Sequence, residues 1–304
     1  MFARVSGLVV FVNENSGRGR ARWLLDRLRE REARLHHAVV VSAPTAATAR
    51  AELDRALDAG PERVVIFGGD GTVHLVANQV LDRGQGADVT LGLVPAGTGS
   101  DFSRALQIPR VIFRAMARAL DGTPVPVDAL RVVTDDGASG YAINVASAGI
   151  SGMVDEEVNA IRRRGTISYL AATLRALNRY RNVPCRVTVD GERWHEGPML
   201  LLAVANGRCF GNGMRIAPHA SPHDGLADVV LVGPVPRAQL PFRLPQIYLG
   251  THLATRFVRY QQAREVRLAP LAPLPPLDLD GETMASGAVT ISVEPGVLRF
   301  AGRV

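Results

Sequence analysis

Two glycine-rich turns restrict this chain more than any other feature: Gly68-Gly69-Asp70-Gly71-Thr72 and Pro95-Ala96-Gly97-Thr98-Gly99-Ser100-Asp101-Phe102. Each follows a short run, Arg63-Val64-Val65-Ile66-Phe67 or Thr90-Leu91-Gly92-Leu93-Val94, and each leads into a segment with helical periodicity. A short apolar run bounded by glycine or proline predicts a buried strand. Glycines that end a strand and open a helix let backbone N–H groups approach an anion closely, where the helix start adds positive potential. A third turn of this kind, Asn13-Glu14-Asn15-Ser16-Gly17-Arg18-Gly19-Arg20, follows residues 8–12. Three such turns at one sheet edge predict a single crevice for a nucleoside triphosphate and a metal.

Strand and helix patterns alternate from Gly7 to about Asp121. Residues 8–12, 39–41, 63–67 and 90–94 read as strands, and 21–34, 45–59, 73–81, 102–106 and 111–120 as helical stretches. The first helix should bury Trp23, Leu24, Leu28 and Leu35. Such alternation predicts an α/β domain with a doubly wound, mainly parallel sheet, whose ligands sit beyond the carboxyl ends of the strands. The composition changes at Gly122-Thr123-Pro124-Val125-Pro126, which divides the chain into residues 1–126 and 127–304. The second part reads as a mostly antiparallel β-sandwich with strands at 129–133, 141–146, 185–189, 199–205, 227–232, 266–268, 289–293 and 297–300. Helical insertions are expected at 155–181 and about 237–257, Asp190-Gly191 is a hairpin turn, and the last residues are expected to pack back on the first domain.

Composition narrows the chemistry. The net charge is +6, yet the sequence contains no lysine, so every basic side chain besides histidine is arginine. A Walker A, Schiff-base or protein-kinase lysine is therefore excluded, and phosphate must be held by arginine, backbone N–H groups and metal. Aromatic residues are only 5%, which argues against base stacking and a nucleic-acid partner. Cys185 and Cys209 lack metal or redox spacing. The histidine pairs His36/His37 and His219/His223 read as surface or turn residues. No apolar run reaches the roughly 18 residues of a membrane span, so the expected location is cytoplasmic, with peripheral contact at the inner face of the membrane.

Together these motifs resemble the catalytic domain shared by diacylglycerol kinases and sphingosine kinases, and most closely the small bacterial lipid kinases. Three later segments narrow the resemblance: Asn144-Val145-Ala146-Ser147-Ala148-Gly149, the stretch from Gly213 to His219 and on through Asp224-Gly225-Leu226-Ala227-Asp228-Val229, and Leu277-Asp278-Leu279-Asp280-Gly281-Glu282. The resemblance implies an ATP- and Mg²⁺-dependent enzyme that transfers the γ-phosphate to a lipid hydroxyl, most simply that of diacylglycerol. It implies that Asp280 is the base, assisted by Glu282. Asn13, Ser16, Gly17, Ser42, Gly68, Gly69, Asp70, Gly71, Thr72, Thr98 and Arg104 would surround the nucleotide, with Thr45 an alternative to Ser42. Asp70, Asp101 and Asp128 would form the acidic network of the active-site metal. A second, structural metal would sit at Asp224 with the carbonyls of Ser221 and Leu226. Glu14 stands where the family usually has proline, Leu75 where many relatives have glutamate, and His223 where an acidic residue often precedes Asp224.

A lipid substrate requires contact with a bilayer. Arg162, Arg163 and Arg164 precede Ile167, Tyr169, Leu170, Leu174 and Leu177, which suits a basic amphipathic surface or a helix packed on the sandwich. A homodimer is compatible with the sequence. The competing functional readings are an NAD kinase and a nucleotide-binding protein without catalysis.

Overall fold

The computed structural model describes residues 7–14, 20–42, 45–96, 100–159, 173 and 175–303. They form two compact units, one of Met1–Val127 with Gly296–Val304 and one of Asp128–Pro295.

In the first unit, β1 (Leu8–Val12), β2 (Val39–Ser42), β3 (Arg63–Gly68) and β4 (Thr90–Pro95) run parallel in the order β2-β1-β3-β4. The last strand of the chain, β16 (Val289–Ala301), adds its final residues to β4 in parallel, pairing Arg299 with Thr90 and Phe300 with Leu91. The connections are α1 (Arg20–Arg29), α2 (Ala46–Asp58), α3 (Asp70–Asp82), α4 (Asp101–Ala105) and α5 (Ile112–Asp121). β1, β3 and β4 are buried on both faces because helices cover them, while the edge strand β2 buries only Val41. Leu24, Leu25 and Leu28 of α1 and Met116 of α5 join Val10, Val65 and Phe67 in one core cluster.

Two expectations for the first helix change. It ends at Arg29, and residues Ala33–His36 form a separate 3₁₀ turn. Trp23 is 54% exposed, with the Arg27 guanidinium 5.4 Å from its ring, while Leu25 takes the buried position. α3 starts at Asp70 rather than Val73, because Gly69 in extended backbone already serves as its N-cap.

The second unit is antiparallel. One sheet has the order β12-β11-β10-β7-β14-β15, formed by Val258–Ala263, Ala227–Val232, Leu201–Ala205, Val145–Gly149, Leu277–Leu279 and Glu282–Met284. The other pairs β16 with β13 (Glu265–Pro270), β13 with β8 (Val183–Val189), and β8 with β9 (Glu192–Met199). β5 (Pro124–Thr134) pairs with β6 (Ser139–Ala142). Side chains of both sheets, among them Val187, Leu268, Ile291, Ala146, Val204 and Val229, share one core cluster, as in a sandwich. Helices of this unit include α6 (Ile150–Asn159) and α7 (Leu240–Leu249).

The expected strand at 141–146 is two strands, β6 and β7, interrupted at Ile143 and Asn144. The expected strands 289–293 and 297–300 are one continuous strand through Pro295 and Gly296. β12 was not expected, since its Val-Arg-Tyr-Gln-Gln-Ala sequence is that of a polar edge strand with little apolar signal. The insertion at 237–257 contains a ten-residue helix flanked by 3₁₀ turns at Arg237–Gln239 and His252–Ala254. Arg162, Arg163 and Arg164 lie outside the described residues.

Candidate active site

The glycine turns of the first unit are tied to one another by side chains. Asp70 is the first residue of α3, but its carboxylate caps α4. Oδ2 accepts from Asp101 N at 3.0 Å and Oδ1 from Phe102 N at 3.1 Å. A single carboxylate therefore satisfies two donors that a helix start leaves without an intrahelical acceptor. Asp101 is almost fully buried and forms an ion pair with Arg104 one turn later. Arg104, expected as a phosphate clamp, thus has its guanidinium on Asp101.

Thr72 is buried, and its Oγ1 accepts from Asn13 Nδ2 at 3.1 Å, so the residue after β1 is tied to the first turn of α3. This arrangement explains Gly68: a Cβ there would lie 2.4 Å from both Cβ and Oγ1 of Thr72. The N–H groups of Thr72 and Val73 close on Gly69 O at 3.0 and 3.1 Å. The residues ahead of them, Gly69 to Gly71, occupy the positive end of a 13-residue helix, the kind of start that receives phosphate. Ser42 donates to Glu14 Oε1 at 2.7 Å, so Glu14 fastens the end of β2 to the turn after β1. Thr45 caps α2 through Thr48 N at 3.2 Å. Ser16, Gly17 and Thr98 lie outside the described residues.

In the second unit, Asp280 and Gly281 form the two-residue turn between β14 and β15, with φ of 59° and 93°. Positive φ at both positions is the type I′ geometry that Asp-Gly favours. The Asp280 carboxylate accepts three backbone N–H groups, from Ile143 to Oδ2 at 2.7 Å and from Asn144 and Val145 to Oδ1, both at 2.9 Å. Ile143 and Asn144 are the residues at which the expected strand 141–146 breaks, and Val145 opens β7. The interruption turns three amides away from strand pairing and towards one carboxylate.

A polar network extends from there. Asn206 Nδ2 donates to Ile143 O at 2.8 Å and to Asp128 O at 2.7 Å, and Asn144 Nδ2 donates to Cys209 O at 2.8 Å. The Asp128 carboxylate accepts from Gly225 N at 2.8 Å, and its own N–H donates to Pro222 O at 2.9 Å. Asp128, expected in the acidic network with Asp70 and Asp101, therefore belongs to the 222–225 loop in these contacts. Asp224 Oδ1 accepts from Leu226 N at 3.1 Å, and Ser221 opens the same loop. Among the described residues no cluster of three or more His, Cys, Asp or Glu side chains could hold a metal ion. Asp278 is buried and accepts from Ser147 Oγ at 3.0 Å and Gly281 N at 2.6 Å, while Glu282 lies exposed on β15.

Sequence reading passed over Asn206, Asp278 and Asp228 as individual site residues. Asp228 is fully buried on β11 and accepts from Tyr260 Oη at 2.7 Å and Gln262 Nε2 at 3.3 Å. Burial raises its pKa above the ordinary carboxylate value, although both hydrogen bonds act in the other direction. The available signal was a polar residue inside an otherwise apolar strand.

The second unit also holds an apolar cavity of about 870 Å³, counting its open mouth, with Ile150, Leu201, Met214, Val232, Leu244 and Ile247 in its walls. One buried polar atom of the lining, Ser151 Oγ, meets no hydrogen-bond partner among the described residues. His252 Nε2 donates to Ile216 O at 2.9 Å, and burial lowers the pKa of the ring, which favours neutral imidazole.

Two family models match successive parts of the chain. The diacylglycerol kinase catalytic domain matches residues 7–132, and the YegS C-terminal NAD kinase beta sandwich-like domain matches residues 144–302. The chain is 33% identical over 242 residues to the diacylglycerol kinase of Mycobacterium tuberculosis, covering 78% of this chain and 77% of that protein. It is 33% identical over 254 residues to a "Probable lipid kinase YegS-like" protein of Stenotrophomonas maltophilia, covering 81% and 80%. A crystal structure of a diacylglycerol kinase from Bacillus anthracis superposes with a TM-score of 0.69 at 18% identity, over 97% of this chain and 96% of that one. A second structure from that organism gives a TM-score of 0.76 at 22% identity, over 99% and 98%. At those identities the superpositions establish the fold.

Proposed function

Because this chain belongs to the diacylglycerol kinase catalytic-domain family of bacterial lipid kinases, we propose that it transfers the γ-phosphate of ATP to the hydroxyl of a lipid, diacylglycerol being the simplest acceptor. The observation that carries this reading is the apolar cavity of the second unit. Its walls are suited to an acyl chain, whereas the polar rings and phosphates of a dinucleotide would find few partners there.

In this reading the first turn of α3, opened by Gly68 to Gly71, receives the triphosphate, with Thr72 and Asn13 fixing the turn. Phosphoryl transfer needs little covalent help from protein beyond alignment, charge neutralisation and a proton acceptor. Charge neutralisation on the phosphates is the chemistry a bound Mg²⁺ would supply, and because that ion keeps several waters, one or two carboxylates would suffice to hold it. Asp70 and Asp101 are the acids beside the glycine turns that suit this task. Asp280, oriented by three amides, accepts the proton of the lipid hydroxyl. Glu282 follows it on the hairpin and supports that orientation. The Asp224 loop, with the carbonyls of Ser221 and Leu226, is the place proposed for a second, structural cation.

The test is incubation of purified protein with labelled ATP and Mg²⁺ against a panel of diacylglycerol, monoacylglycerol, sphingoid base, phosphatidylglycerol and NAD. Label recovered in a lipid phosphate supports the assignment and names the acceptor. Label in NADP, with none in lipid, overturns it.

A further inference from the structure

Helix α7 is apolar on two opposite faces. Leu240, Leu244 and Ile247 recur at helical spacing and line the cavity. Phe242, Pro245 and Leu249 fall on the other side by the same spacing, and they are exposed, Phe242 to 77% and Leu249 to 68%. These are the two most exposed large hydrophobic residues among the described positions. A helix with apolar residues on its solvent face is one that something else covers.

Charge indicates what covers it. Between Asp228 and Glu265 the sequence contains no aspartate or glutamate, but it does contain Arg237, Arg243, Arg256, Arg259 and Arg264. The guanidinium groups of Arg243 and Arg256 lie 5.4 and 5.0 Å from the ring of Phe257, so the start of β12 and the helix present their cations together. Arg259 stacks 5.0 Å from Trp194. Arg181 and Arg237 line a hollow that shares Leu177, Leu200, Val235 and Leu240 with the apolar cavity, which adds cations near the cavity wall. A second copy of the chain is a poor occupant, because a two-fold interface would set these arginines against themselves. Apolar side chains that insert shallowly, ringed by arginine, instead match an anionic phospholipid surface.

The geometry points to α7, with its flanking arginines, as the face by which this protein docks on an anionic bilayer. Phe242 and Leu249 enter the headgroup boundary while the opposite side of the same helix forms a wall of the cavity. A lipid leaving the bilayer then passes along one helix into an apolar site without crossing water. The docking itself stands apart from the kinase reading; only the identity of the cavity's occupant rests on it.

The experiment is vesicle sedimentation without ATP, using phosphatidylcholine vesicles and phosphatidylcholine vesicles containing phosphatidylglycerol, at low and high salt. Wild type should bind the anionic vesicles selectively and lose most of that binding at high salt. The Phe242→Glu/Leu249→Glu double variant should bind them at least about tenfold more weakly. The Arg256→Glu/Arg259→Glu variant should lose anionic selectivity. Equal binding by wild type and the Phe242/Leu249 variant, or no vesicle binding by wild type, overturns the proposal. So does a wild-type dimer, seen by light scattering, that the double variant dissolves. In a parallel assay with a short-chain diacylglycerol in detergent micelles, the Phe242/Leu249 variant should turn over like wild type. If neither turns over, the kinase reading fails while the vesicle result still decides the docking face.

Discussion

Asp70 and Asp101, which stand in different glycine turns, are joined by a hydrogen bond of 3.0 Å from the backbone of one to the carboxylate of the other. The bond makes two turns that are far apart in sequence into one rigid structure, since the second carboxylate oxygen takes Phe102 N in the same way. Asp70→Ala removes both acceptors and leaves the start of α4 uncapped. Loss of such a cap costs about 1–2 kcal/mol. A urea titration followed by circular dichroism should show a lower midpoint with an unchanged slope, and calorimetry should show weaker ATP binding.

Gly68→Ala should weaken nucleotide binding at least about tenfold, because the new methyl drives Thr72 away from Asn13 and misplaces the start of α3. Thr72→Ala in the same chain should not restore it. The nearest atoms to the added Cβ include Thr72 Cβ itself, at 2.4 Å, and alanine retains that atom. Calorimetric titration with an ATP analogue in the single and double variants checks this.

Asp280→Asn should abolish phosphoryl transfer with little effect on nucleotide affinity. It should also lower stability by about 1–3 kcal/mol, since an amide cannot accept from Ile143, Asn144 and Val145 together without setting its NH₂ against a backbone N–H. Single-turnover assays and denaturant unfolding of the same preparation separate the two effects. Retained turnover would remove Asp280 from the role of base.

The pH dependence of stability should carry the mark of Asp228. Its pKa is raised mainly by burial, so the folded chain holds this proton more tightly than the unfolded chain does. The carboxyl is therefore most favourable to folding below the ordinary carboxylate value, and that contribution is lost as pH rises through the raised value. Asp228→Asn cannot ionise. Its stability relative to wild type should increase between acid and neutral pH, as measured by urea unfolding across that range.

Cys185 is fully buried, and burial pushes its thiol up to about 11. In the folded protein at pH 8 it should resist a thiol reagent, reacting only as fast as the chain opens. Labelling followed by peptide mapping, with and without denaturant, measures this.

Much of the first unit could be read directly from the chain. Runs such as Val64-Val65-Ile66-Phe67 become strands because β-branched residues ending in glycine can be buried within a few positions of one another, and that is local information. Asp280-Gly281 likewise suits a hairpin by its own backbone preferences. The second unit was read less well where neighbours decide. Residues 141–146 have strand propensity throughout, but a carboxylate 136 residues after Asn144 draws its amide out of the ladder. Pro295-Gly296 has the composition of a turn, yet β16 continues through it.

The site divides in the same way. The kind of residue needed, glycine beside a helix start and an acid on a tight turn, is written in order along the chain. Which donor each acid meets is not, because a carboxylate binds whatever amide the fold brings within 3 Å. Asp70 thus serves α4 rather than its own helix, Asp128 serves Gly225, and Arg104 serves Asp101. The two-faced character of α7 is visible in its spacing, but only tertiary packing decided which apolar stripe lines the cavity and which one faces water.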